Sequence, residues 1–221
     1  MKQLAERIKP YFQLLRIGNL LFIAILLYVM EKWVATPLLQ LAQFYEQMPW
    51  WVLTLLIMST ICIAAGGYII NDYFDVKIDR INHPEDLVVT RYISREGAMR
   101  LFQVLTILGV IMGLVVAWWA RSWTLVMIFI VIPGLLWFYS ASYKRQLLIG
   151  NIVVAFISAI VPLLVAIANA DYLCHLYQEN LVYSPINVYM ALGMLAELAD
   201  GETREQILDL MGEASIDDVR A

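Results

Sequence analysis

Charged side chains are scarce in this 221-residue chain, at 15% against roughly 25% in a soluble domain. That shortage excludes an ordinary soluble protein, which needs a charged surface over its whole periphery. Cysteine is nearly absent. Cys62 and Cys174 lie far apart, and Cys62 sits inside an apolar run, so the pair fits no metal or disulfide spacing. A cleavable leader is not expected either. The N-terminus is basic (Lys2, Arg7, Lys9, Arg16), but no small-residue cleavage pattern follows, and the first apolar run reads as a retained membrane anchor.

What fills the chain instead is apolar: 62% of residues are hydrophobic. A membrane helix needs about 20 mostly apolar residues. Five segments meet or approach that length, at 17–36, 51–70, 101–120, 122–141 and 147–168. Glu31 and Lys32 interrupt the first, near an end where long side chains can snorkel. Trp50, Trp51, Trp118, Trp119, Trp123 and Trp137 fall near the proposed ends, where an aromatic belt belongs.

Lys and Arg in the short loops set the expected orientation. They crowd the N-terminal segment, the loop at 71–100 (Lys77, Arg80, Arg91, Arg95, Arg100) and the loop at 142–146 (Lys144, Arg145). The other side carries only Lys32 and Arg121. The expectation is an integral protein of the inner or plasma membrane. Its N-terminus and loop 71–100 are cytoplasmic, and residue 170 and the tail lie on the opposite side. These basic loops orient the chain, and no nucleic-acid partner is expected.

The second apolar run ends in Asn71-Asp72-Tyr73-Phe74-Asp75-Val76-Lys77-Ile78-Asp79. If the helix continues, Asn71, Asp75 and Asp79 recur at i, i+4 and i+8, a stripe drifting about 40° per step. Asp72 lies beside it, so four oxygen-bearing side chains are expected to converge. Like charges at this spacing destabilise a helix, and ionisable groups at membrane depth are costly. Mg²⁺ suits such a site, because it takes hard oxygen ligands and is held by one or two carboxylates plus substrate phosphates. The plainer alternative is a solvated acidic helix end partnered by Lys77 and Arg80.

The segment NDYFDVKIDRINHP resembles the first aspartate motif, N-D-x-x-D-x-x-x-D, of the UbiA-type intramembrane prenyltransferases. Further matches are LLRIGNLL at 14–21, ISREGAMRL at 93–101, YSASYKR at 139–145 and LLIGNIVVA at 147–155. The resemblance covers about residues 10–168. It implies ionisation of an allylic prenyl diphosphate with Mg²⁺ and transfer of the prenyl group to a lipid-phase or aromatic acceptor. By resemblance, Asn71, Asp72, Asp75 and Asp79 hold Mg²⁺ and diphosphate, the three aspartates being the catalytic set. Lys144 and Arg145 face the phosphates, and Arg16 and Asn19 border the cavity. The wording after the motif is nearest to digeranylgeranylglyceryl phosphate synthase-like and chlorophyll-synthase-like branches. Glu85-Asp86-Leu87 stands where the family often has a basic residue and proline, leaving Arg91 as the nearby cation. Family members also carry more membrane helices than this and a second Asp-rich motif, and no second D-x-x-x-D follows here in an apolar setting.

Residues 1–170 carry 13 Lys/Arg and 9 Asp/Glu, whereas 171–221 carry 2 and 10. That shift marks a boundary. Residues 171–187 are too polar for a sixth span. Thr203-x-x-Gln206 reads as a capping box opening a short helix before Gly212. ENLVYSPINVYMALGMLAELADGETREQILDLMG at 179–212 resembles an early helical segment of serpins, without the parts that inhibit proteases. The expected organisation is a partial UbiA-type membrane domain (1–169), a junction (170–178) and a serpin-like helical fragment (179–221), a chimeric chain. The fold class expected is all-α: a polytopic bundle of about five membrane helices with a short soluble helical tail. A truncated prenyltransferase of weak or no turnover is the leading functional reading. The alternatives are a non-catalytic membrane component binding or transporting cations at Asn71–Asp79, and a membrane-anchored serpin-derived module.

Overall fold

Each apolar run forms a helix. The computed structural model describes residues 10–82, 88–146, 148–177 and 201–211, with the side chains of Asn82, Arg145, Glu202, Leu210 and Met211 outside the described set. Helix α1 (Ile17–Val29) continues through a π-helical turn (Met30–Ala35) into α2 (Thr36–Leu41). Then come α3 (Trp50–Asn82), α4 (Arg95–Trp119), α5 (Trp123–Ala141), a 3₁₀ turn (Tyr143–Arg145), α6 (Ile149–Tyr177) and α7 (Gly201–Met211). Among the described residues the only β pairing is an isolated Val89–Ile93 bridge. The chain is all-α.

Five helical stretches are long and apolar enough to cross a membrane: Ile17–Leu41, Trp50–Ile81, Arg95–Trp119, Trp123–Ala141 and Ile149–Tyr177. Two run further than expected. Helix α3 has 33 residues, about 50 Å at 1.5 Å per residue, against an apolar bilayer core of about 30 Å. Its Asp-rich last turns therefore continue a span without a break. Helix α6 also continues past residue 168 to Tyr177.

Two serine caps set where α4 and α5 begin. The Ser94 hydroxyl accepts from the Gly97 N–H at 3.0 Å, and that of Ser122 from the Leu125 N–H at 3.0 Å. Each satisfies one of the N–H groups left unpaired at a helix start. Ser122 also donates to the Asp171 carboxylate, which ties the α4–α5 corner to α6.

Lipid tails are as apolar as leucine, so helices in a bilayer associate through close packing and buried polar contacts. The tightest packing is α3 against α4. A Cβ on Gly66 would stand 2.8 Å from Thr106 Oγ1, and one on Gly109 would stand 3.0 Å from the Ser59 carbonyl oxygen. Hydrogen fits where carbon does not. Ser59 Oγ then donates to the Gly109 carbonyl at 2.7 Å across that contact. Helix α6 approaches the rest less closely, joining the core through Leu164, Val165 and Ala168. The looser fit leaves room beside α3.

Trp33, Trp50, Trp118 and Trp123 are each about three-quarters exposed and lie at the end of the bundle away from Asn71. Trp50, Trp118 and Trp123 are expected in an aromatic belt, and Trp33 joins them at that end. Trp137 and Trp119 do not belong to it. Trp137 packs against Phe74 and Phe102, each at 5.5 Å between centroids, and Trp119 stacks on Tyr172 at 4.2 Å. Both rings gain more contact from neighbouring aromatics than from the interface.

The chain divides into two units, Met1–Tyr172 and Leu173–Ala221. In the second, α7 starts at Gly201, whose φ of +55° suits a residue without a Cβ. The helix begins two residues earlier than the capping-box reading, so Thr203 lies inside its first turn. Most of the serpin-like stretch, 179–200 and Gly212, lies outside the described residues.

Candidate functional site

Because α3 stays helical through Asn82, the expected stripe exists. It also extends further into the span. Thr60, Ile63, Gly67 and Asn71 succeed one another at three- and four-residue steps along one face of α3, and this face lines a cavity of about 520 Å³. From Thr60 to Asn71 the face runs about 16 Å along the helix axis. Opposite it, α5 contributes Phe129, Ile132 and Leu136, and α6 contributes Ile157, Val161 and Leu164. The charged lining, Arg16 and Lys144, is confined to the end near Asn71, where Tyr68 and Tyr139 also lie, and elsewhere the polar lining is limited to the hydroxyls of Thr60 and Ser158.

Lys144 joins two members of the stripe. Its Nζ donates to Asn71 Oδ1 at 3.1 Å and pairs with the Asp75 carboxylate. The Asp75 side chain is 14% exposed and that of Lys144 35%, so this pair is screened less than a surface ion pair. Asp72 points to a different cation, with Arg16 Nη2 3.2 Å from its Oδ1. Arg16 also lies over the Tyr68 ring, 4.9 Å from the centroid.

The motif residues are therefore divided between two cations. A step from Asn71 to Asp72 turns the helix by about 100°, and that angle directs Asp72 to Arg16 while Asn71 and Asp75 share Lys144. Asp79 lies a further turn along and is partly exposed. Among the described residues, no group of three His, Cys, Asp or Glu side chains is placed to hold a metal. The donors on this face still suit Mg²⁺, because that ion takes one or two carboxylates and fills its shell with water and phosphate oxygens.

Arg16 lines the cavity, whereas Asn19 is exposed and outside its lining. Leu20, 6% exposed, takes the inward position on α1, and Asn19 sits about 100° round the helix from it. The Arg145 backbone belongs to the 3₁₀ turn beside Lys144, and its side chain lies outside the described residues. Arg91 lies 5.4 Å from the centroid of its neighbour Tyr92, and residues 83–87 are outside the described set.

Sequence reasoning missed the apolar body of the cavity and its two tyrosines. No amphipathic contrast marks lining positions on α5 and α6, since both lipid-facing and cavity-facing sides are apolar. It also missed a buried polar contact at the far end of the bundle. Glu31, 1% exposed, accepts from Asn169 Nδ2 at 2.7 Å, and Asn169 is 4% exposed.

Comparison with known proteins agrees with this geometry. Residues 33–196 match the UbiA prenyltransferase family, well over half of the chain and past the expected junction at 170–178. Digeranylgeranylglyceryl phosphate synthase of Sulfurisphaera tokodaii is 32% identical over 157 residues, covering 69% of this chain and 50% of the relative. The protein of the same name from Ignicoccus hospitalis is 36% identical over 114 residues, covering 52% of this chain and 36% of the relative. A solved structure described as digeranylgeranylglyceryl phosphate synthase in membranes superposes with a TM-score of 0.59 at 22% identity, covering 87% of this chain and 62% of that one. The chain spans about half the length, or less, of these curated relatives. On the family match and the shared membrane-helix fold, this chain belongs to the UbiA prenyltransferase family.

Proposed function

We propose that the chain binds a prenyl diphosphate as its Mg²⁺ complex and serves transfer of the prenyl group to a lipid-phase acceptor. One observation carries this: a cavity is charged at the Asn71 end, through Arg16 and Lys144, and uncharged and mostly apolar along the rest of its length. A prenyl diphosphate has that same division. The head lies among Asn71, Asp72, Asp75, Arg16 and Lys144, with Asp79 and Arg145 beside it, and the tail runs toward Thr60 and Phe129.

Asn71 and the carboxylates of Asp72, Asp75 and Asp79 would hold Mg²⁺, which would supply charge neutralisation for the departing diphosphate. The chain's own residues do the rest. Lys144 and Arg16 donate to phosphate oxygens, where their fixed charge favours the more anionic leaving group. The apolar walls keep water from the allylic carbon. The likeness to proteins named digeranylgeranylglyceryl phosphate synthase supports a glycerol-phosphate lipid precursor as the acceptor class. The loop charge bias supports a cytoplasmic Asp-rich end in an inner or plasma membrane, with the tail opposite.

The 221 residues carry one Asp-rich helix end, and the facing acidic motif of the family is not among them. Mg²⁺-dependent prenyl transfer, and its loss in Asp75→Ala, is the direct assay of the transfer reading. The serpin resemblance at 179–212 rests on sequence alone, and the UbiA family match runs through its first part to residue 196. Calorimetry on the purified chain in nanodiscs tests the binding reading. Prenyl diphosphate and Mg²⁺ are expected to bind with mutual dependence, and Asp75→Asn to weaken both at least about ten-fold. Mg²⁺ binding that is indifferent to the diphosphate would favour a cation-binding or transport component instead.

A further inference from the structure

Arg16 is held by three separate features. Its backbone is left-handed, with φ 50° and ψ 54°, a conformation that non-glycine residues rarely adopt and that clusters at functional positions. It stands between helical residues 10–15 and α1, so the chain turns at this residue. Its guanidinium then meets α3 twice, with Tyr68 beneath the plane at 4.9 Å and the Asp72 carboxylate at an edge at 3.2 Å. Tyr68 and Asp72 are one helical turn apart, so one face of α3 presents both. A guanidinium can stack on an aromatic face while its N–H groups remain free to reach oxygen.

We propose that Tyr68 is the positioning residue for Arg16, its ring holding the guanidinium at the cavity mouth on the same side as Asn71 and Lys144. The value of this placement for anion binding rests on the prenyl-diphosphate reading. Asp72 alone would hold the arginine only while that carboxylate has no other cation to serve. The ring contact is independent of that competition. Tyr68 also lines the cavity, and the plainer alternative is that it is merely wall.

The test uses the full chain in nanodiscs with ¹⁵N-labelled arginine, the Arg16 side-chain signal being assigned with Arg16→Lys. Wild type and Tyr68→Phe should show a ring-current-shifted Arg16 Nε–H signal, and Tyr68→Leu should lose it. With inorganic pyrophosphate and Mg²⁺, Tyr68→Leu should weaken binding about five-fold, as the loss of one cation–π contact implies. Tyr68→Phe should bind like wild type. In an Arg16→Ala background Tyr68→Leu should have no further effect. An unshifted Arg16 signal in wild type overturns the proposal, and so does equal weakening by Tyr68→Leu with and without Arg16. A shifted signal in a wild type that binds no pyrophosphate upholds the positioning of Arg16 and overturns the prenyl-diphosphate reading.

Discussion

Removing Asn169 should destabilise the bundle measurably, while removing Asn169 and Glu31 together should do so much less. Asn169 Nδ2 donates to Glu31 Oε2 at 2.7 Å and to the Val165 carbonyl at 3.0 Å. Both hydrogens of the amide are thus in use. Glu31 Oε1 also accepts from Thr36 Oγ1 at 3.4 Å, which is a weak contact by distance. No Lys or Arg side chain among the described residues pairs with Glu31. In Asn169→Leu the carboxyl group therefore keeps only the long Thr36 contact inside the bundle.

Interhelical hydrogen bonds in membranes average about 0.6 kcal/mol and reach about 1.7 kcal/mol. The nearly complete burial of both partners places this one at the upper end, near 1.5 kcal/mol. For a chain of this size that corresponds to a fall of about 3–6 °C in Tm. Glu31→Gln keeps an acceptor for Asn169, and its added N–H₂ can donate to Thr36, so its Tm should stay within about 2 °C of wild type. Glu31→Leu/Asn169→Leu leaves no orphaned polar group, and such paired apolar replacements are often close to neutral. The assay is thermal unfolding in detergent, read by tryptophan fluorescence and by retention of monodisperse protein. Full additivity of the two single substitutions would refute the reasoning, because it would mean that the residues do not act as a pair.

Two further outcomes follow from packing and cavity shape. Gly109→Leu places carbon where 3.0 Å separates a Cβ from the Ser59 carbonyl oxygen, and should cost about 1–3 kcal/mol by forcing α3 from α4. Loss of monomeric protein on heating, about 2–12 °C earlier than wild type, is the readout. Gly67→Phe should narrow the cavity midway, since a Cβ there already meets Leu136 at 3.1 Å. Affinity for long prenyl diphosphates should fall about ten-fold while inorganic pyrophosphate binds as before, the difference being about 1.4 kcal/mol of lost tail burial. Equal loss for both ligands would separate the tail from this cavity.

Much of the candidate site was legible because its information is local. The i, i+4, i+8 spacing of Asn71, Asp75 and Asp79 requires only that the helix continue, and α3 does so through Asn82. The partners of the four side chains were not legible in the same way. One residue of offset turns Asp72 toward Arg16, 56 positions away in sequence, while Asp75 meets Lys144, 69 positions away. Family resemblance nominated both cations, but no spacing rule could have placed them at these oxygens. Resemblance also nominated Asn19, and the inward packing of Leu20 leaves it outside the cavity.

Sequence by itself determined the membrane setting, the five long apolar helices and the acidic stripe, because hydropathy, span length and helical period are properties of neighbouring residues. Tertiary structure alone decided which faces of α5 and α6 line the cavity, that Trp137 and Trp119 pack inward, and that Glu31 finds Asn169 138 residues away. In water a helix advertises its buried side by polarity. In lipid both sides are apolar, so the inward face is selected by shape and by a few buried polar contacts between distant segments.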